Sequence, residues 1–323
     1  MTASNGAAHA APFFDPWAYL PDGAALRDAC ETQDARTALA VLRTLTTPDA
    51  LAALWLVGGH ADKPTDTARD AFTAAIEAAD DGSALARTLR GLRYVTVGWG
   101  FRSRARAEHV SRDQFEQFHD WLRRAERTLF DVCSEFPDFV PAWEIRITIC
   151  RGLELGHSEA RRRYDRLAAL DPHVFSAQEA YLQQILPKWS GSWEQASQFV
   201  ADCTGSAPPG SLSHLLVLDL AVERWLDGEK TVPPEMVEQV RQAAARSVWH
   251  PEHVPVQATA VAHANLAQFF SLADHPADAK PHFDHLGEVP VEGNFQYYGD
   301  PAGTYRKLRA AAEKAGAGRG RRA

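Results

Sequence analysis

The sequence predicts an all-α protein, an α/α superhelix of about seven helical hairpins, and three observations carry that expectation. One pattern occurs three times: Ala125, Leu129, Val132, Pro137; then Ala160, Tyr164, Leu167, Pro172; then Ala196, Val200, Cys203, Pro208. The offsets from each alanine are 4, 7 and 12, and the copies begin 35 and 36 residues apart (160 − 125 and 196 − 160). Offsets of 0, 4 and 7 place three side chains on one stripe of a helix, and the small first residue admits a neighbouring helix. Proline further on ends the helix, because it has no N–H to donate and turns its predecessor away from the α region. Ala279, Phe283 and Leu286 repeat the first three offsets near the end of the chain. No stretch alternates with period 2 between hairpin turns, the pattern expected of a half-buried strand.

Taken in order, residues 1–12 are small and polar and predict disorder. Phe13, Phe14, Trp17, Tyr19 and Leu20 follow, an aromatic segment expected to dock on the first helices. Helices are predicted over 24–31, 34–45 and 51–57, the last closed by Gly58-Gly59. Thr65-Asp66 supplies a cap for a helix through Ala79, and Asp80-Asp81-Gly82-Ser83 a turn. A helix from Ala84 to Val97 is expected to end where Gly98-Trp99-Gly100-Phe101 breaks the pattern. Ser111 caps a long helix, 112–136. Pro141 falls near the first turn of the next helix, where its missing N–H does no harm. Helices 144–155 and 158–170 make one hairpin; 174–186 and 193–203, capped by Ser192, make the next. Pairs 211–226 with 234–248 and 256–272 with 277–286 follow, then a short helix from Thr304 to Ala315. The predicted organisation is one helical domain, 13–315, with a disordered basic tail, 316–323.

The alanine-to-proline spacing resembles the second helix of a tetratricopeptide repeat. The first-helix signature is largely missing, although Trp143 lies within one position of the tryptophan that such a repeat carries. A second resemblance rests on Lys188, Trp189, Gly191 and Ser192. Over roughly residues 90–230 the chain resembles a bacterial helical family, a domain of unknown function, with a Lys-Trp-Gly-Gly-Ser motif at such a turn. Ser190 departs from its glycine. The family's upstream tryptophan and arginine segment would correspond to Trp99, Arg102, Ala107 and Val110. These resemblances imply a tetratricopeptide-like fold and no particular activity.

Composition removes several functions. The net charge of −8 argues against a nucleic-acid partner. No apolar run approaches the ~20 residues of a membrane span, and 1–12 lacks the basic and apolar blocks of a secretory signal, so the cytoplasm is the expected location. The four cysteines show no paired spacing and read as buried thiols. No complete catalytic motif, phosphate loop or dinucleotide fingerprint occurs. His282 and His285 share a helix face, but no His-Glu-x-x-His accompanies them, so neither metal nor cofactor is expected.

The candidate binding residues are Trp99, Arg102, Arg104, Trp143, Glu144, Arg146, Lys188 and Trp189. Arginine's planar fork suits carboxylate or phosphate, and a lysine beside tryptophan can hold its ammonium out while its stem lies on the ring. Glu144 and Arg146 are expected to lie buried together beside Trp143. The leading expectation is a non-catalytic scaffold taking a protein, peptide or small ligand on a concave face. The alternative is a pocket-bearing enzyme or accessory protein of a small bacterial biosynthetic pathway.

Overall fold

The computed structural model describes residues 13–60, 66–102, 110–229 and 231–319. The expectations for 1–12, for Thr65, for Arg104 and Ala107, and for the last four residues of the tail lie outside them. The described residues form fifteen α-helices with short 3-10 turns and no strand. They are α1 (Gly23–Glu31), α2 (Ala35–Leu42), α3 (Thr47–Gly58), α4 (Asp66–Ala79), α5 (Ala84–Arg102), α6 (Arg112–Glu135), α7 (Val140–Gly152) and α8 (His157–Ala168). Then come α9 (Phe175–Gln184), α10 (Trp193–Ser206), α11 (Leu216–Leu226), α12 (Pro234–Arg246), α13 (Gln257–Leu272), α14 (Pro276–Leu286) and α15 (Pro301–Arg319).

The chain forms two compact units, Tyr19–Thr259 and Met1–Ala18 with Ala260–Ala323. In the larger unit α5 packs on α6, α7 on α8, α10 on α11 and α11 on α12. The odd-numbered helices also meet one another in series: α3 with α5, α5 with α7, α7 with α9, and α9 with α11. The repeated stripes occupy α6, α8 and α10, where Ala125, Ala160 and Ala196 are fully buried and their partners at offsets 4 and 7 nearly so. Ser111 caps α6 in a reciprocal box with Gln114, and the Ser192 side chain accepts from the Gln195 N–H to begin α10.

The expected break at Gly98 does not occur: α5 runs on to Arg102. Gly98 is there for contact, since a Cβ would come within 3.2 Å of Trp121 Cβ and 3.3 Å of the Phe118 carbonyl oxygen. Its absence lets α6 approach α5, and the continued helix carries Trp99 into the packed region. Arg93, fully buried in the same helix, anchors α5 to its neighbours. Its guanidinium donates to the Gly58 and His60 carbonyls at 2.8 and 2.6 Å, to the Arg69 carbonyl at 3.1 Å and to Thr73 Oγ1 at 3.0 Å. Carbonyls at the end of α3 that lack helical partners are thereby bonded by a charged donor.

In the smaller unit, Phe13 and Phe14 meet the Tyr305 ring edge-on at 5.5 and 5.9 Å, and Arg306 lies 4.2 Å over Phe13. These two rings pack on α15, where the sequence places them on the first helices; α15 offers an aromatic cluster for edge-to-face contact. That helix is longer than expected, reaching Arg319, so the beginning of the basic tail is helical. His263, fully buried in α13, and His282, 2% exposed in α14, approach through their Nδ1 atoms at 2.8 Å, and His285 stacks on His263 at 3.8 Å.

Candidate functional site

Charged and aromatic side chains gather where the odd-numbered helices of the larger unit meet. Residues at i and i+4, or i and i+7, share a helix face. That spacing pairs Glu144 with Arg151 on α7, Glu179 with Gln183 on α9, and Asp219 with Glu223 on α11. Trp55 on α3 and Trp99 on α5 extend the series.

Glu144 is 2% exposed, and its two carboxylate oxygens accept from the Trp55 indole N–H at 3.3 and 3.2 Å. Burial raises its pKa to about 7, opposed by that hydrogen bond. Glu179 and Asp219 keep part of their surface exposed. Burial, then the charges of Asp219 and Glu144, push the Glu179 carboxyl well above the ordinary range. Burial, then Glu223, raises Asp219 to about 7. Among the described residues neither Glu179 nor Asp219 has a hydrogen-bond or ion-pair partner, and the Oδ2 atom of Asp219 is itself buried. Glu223 is compensated: it accepts from Gln183 Nε2 and from Lys188 Nζ, each at 2.6 Å.

Arg151 is the second cation here. Its guanidinium lies 5.8 Å from the Trp99 ring and 5.6 Å from Trp189, close enough for cation–π attraction to both. Burial holds its pKa below the usual arginine value, with Glu223 opposing the shift. Its Nη1 atom is buried without a hydrogen-bond partner. Lys188 and Trp189 sit in a short 3-10 helix, Pro187–Trp189. The turn that follows needs Gly191, because a Cβ there would lie 1.9 Å from the Ile185 carbonyl oxygen. Ser190 takes the left-handed conformation at φ 70°.

The structure divides the sequence-predicted residues. Trp99, Lys188 and Trp189 meet around Arg151 and Glu223, and Glu144 joins them through the carboxylate series. Trp143 and Arg146 are elsewhere. The Trp143 indole donates to the Pro137 carbonyl at 2.8 Å, and Arg146 lies over the Trp143 and Phe130 rings. Arg146 and Arg163 both bond Glu126, at 2.7 and 2.8 Å. Glu144 and Arg146 are thus both buried but not together: two residues apart on a helix, their side chains point roughly 160° from each other. Arg102 closes α5 with its guanidinium 5.9 Å from the Phe115 ring.

Sequence reasoning missed Trp55, Arg151, Glu179, Asp219 and Glu223. A signal was present. Glu144 and Glu179 are 35 residues apart (179 − 144) and Glu179 and Asp219 are 40 apart (219 − 179), so an acid recurs on successive first helices at close to the alanine period. No group of three or more histidine, cysteine, aspartate or glutamate side chains among the described residues has the geometry to hold a metal ion. No helix among them is long and apolar enough to cross a membrane. Comparison with family models, with curated proteins and with solved structures returns no match.

Proposed function

We propose that the chain is a non-catalytic, tetratricopeptide-like scaffold that binds a cationic protein or peptide segment along the series Glu144, Glu179, Asp219 and Glu223. The observation that carries this reading is the pair Glu179 and Asp219, largely buried carboxyls that keep some exposed surface and have no partner among the described residues. Four carboxylates face two cations, Arg151 and Lys188. Burial and mutual repulsion hold these carboxyls partly protonated, and a lysine or arginine side chain supplies the counter-charge that lets them ionise. Trp55 and Trp189, both partly exposed, offer ring faces beside it.

The test is calorimetric titration with a hexa-arginine peptide near pH 7. Binding should weaken with salt and release protons, because a cation favours the ionised form of Glu144, Glu179 and Asp219, whose pKa values burial has raised. Replacing Glu179 by Gln together with Asp219 by Asn should weaken it by about tenfold or more. Equal affinity in that double variant, or no binding at all, would refute the reading. A second reading has one observation in its favour. Glu144 and Asp219, both near 7, have the pKa suited to general acid–base work, as an enzyme of a small biosynthetic pathway would need.

A further inference from the structure

We propose that the groove over α11, between α10 and α12, binds a small amphiphilic carboxylate, with its apolar tail along the groove floor and its anionic head at Arg246. This site is on the far side of α11 from Asp219 and Glu223 and does not rest on the function proposed above. The groove has a volume of about 580 Å³, within the range of roughly 300–1,000 Å³ typical of small-molecule sites.

Each of the three helices turns one face to it. From α10 come Ser197, Ala201 and Thr204, at offsets 0, 4 and 7. Their small side chains leave the groove open. From α11 come Val217, Leu220 and Ala221, at offsets 0, 3 and 4, which make an apolar floor continuing to Trp225. At 1.5 Å per residue, the floor from Val217 to Trp225 is about 12 Å long, room for a medium-length acyl chain. From α12 come Met236, Ala243 and Arg246, at offsets 0, 7 and 10.

Charge sets the direction of the ligand. Arg224, toward one end, is already engaged: it pairs with Glu229 at 3.2 Å and bonds Ser197 Oγ at 3.4 Å. Arg246, toward the other, has no ion-pair partner among the described residues. The titratable group beside it is His214, buried and bonded through Nε2 to the Pro208 carbonyl at 3.1 Å. Burial above all, and the Arg246 charge in part, hold that imidazole below its ordinary pKa, so it stays neutral beside the guanidinium. A cation at one end of an apolar trough complements an anion with an apolar body.

The probe is decanoate, kept below its micelle concentration and titrated calorimetrically, with decyltrimethylammonium as the charge-reversed control. Decanoate should bind and the cationic amphiphile should not. Arg246→Ala should weaken decanoate by about tenfold. Ala201→Trp should fill the groove from an exposed position and abolish binding at unchanged melting temperature; if that variant is unstable, Gln239→Trp, also exposed, serves in its place. The Glu179 and Asp219 variants should bind decanoate like wild type, which separates this site from the other. The proposal is overturned by equal affinity for the two amphiphiles or by full affinity in the groove-filling variant. Preference for an amphipathic helical peptide that decanoate cannot displace would also overturn it.

Discussion

Replacing Glu144 by Gln should make the protein more stable, and increasingly so as pH rises. The carboxyl is 2% exposed, and its pKa is raised from 4.5 to about 7. A folded-state pKa above the unfolded value means that the group's contribution to stability is fully present below about pH 4.5. It is then lost as pH rises through 7. At 1.36 kcal/mol per unit, the shift corresponds to about 3 kcal/mol removed from the folded state by pH 8.5. Glutamine keeps a carbonyl oxygen to accept from the Trp55 indole, so the hydrogen bond survives while the charge does not. The difference in unfolding free energy between variant and wild type should therefore be near zero at pH 4.5 and about 3 kcal/mol in favour of the variant at pH 8.5. In melting temperature that is roughly 6–12 °C for a unit of this size. Urea titrations followed by far-ultraviolet circular dichroism across this range measure it. A pH-independent difference would refute the reasoning. So would a deficit that grows with pH, which would mean that the ionised carboxylate is a stabilising partner.

Three further outcomes follow from particular contacts. Ala160, fully buried on α8, has no room for the three carbons that leucine adds, so Ala160→Leu should lower stability by about 1–3 kcal/mol; unchanged melting would show that the stripe is not a packing surface. Ser190 holds a left-handed conformation, so Ser190→Gly should raise stability by up to about 1 kcal/mol in urea unfolding; a loss of stability would show that the left-handed turn carries no strain to relieve. His282 is buried, and its pKa is lowered to about 3, by burial first and then by the His285 charge, with Asp278 opposing. A lowered folded pKa means stability present above about 6.5 and lost as pH falls toward 3, about 2 kcal/mol of it by pH 5, and His282→Phe should remove that part of the acid sensitivity in a melting series.

Local spacing was enough to establish the all-helical class and most of the helices. Each alanine stripe and each Ser or Pro at a helix start acts through neighbours within a turn or two, and that information is present in a linear reading. Ser111, Ser192 and the buried triads at Ala125, Ala160 and Ala196 are of this kind. Gly98 shows where the reading stopped: a glycine that breaks a helix in isolation is retained in α5 because α6 lies against it, a contact made across the fold. The candidate site divides in the same way. Lys188 and Trp189 stand out by local composition, whereas Arg151 gains its meaning only between Trp99, 52 residues before it (151 − 99), and Trp189, 38 after (189 − 151). Glu144 and Arg146 are nearly adjacent in the chain, yet helical rotation sends one to Trp55 and the other to Glu126. The carboxylate pKa values depend on burial and on charges from three helices, and those distances are decided only when α7, α9 and α11 pack.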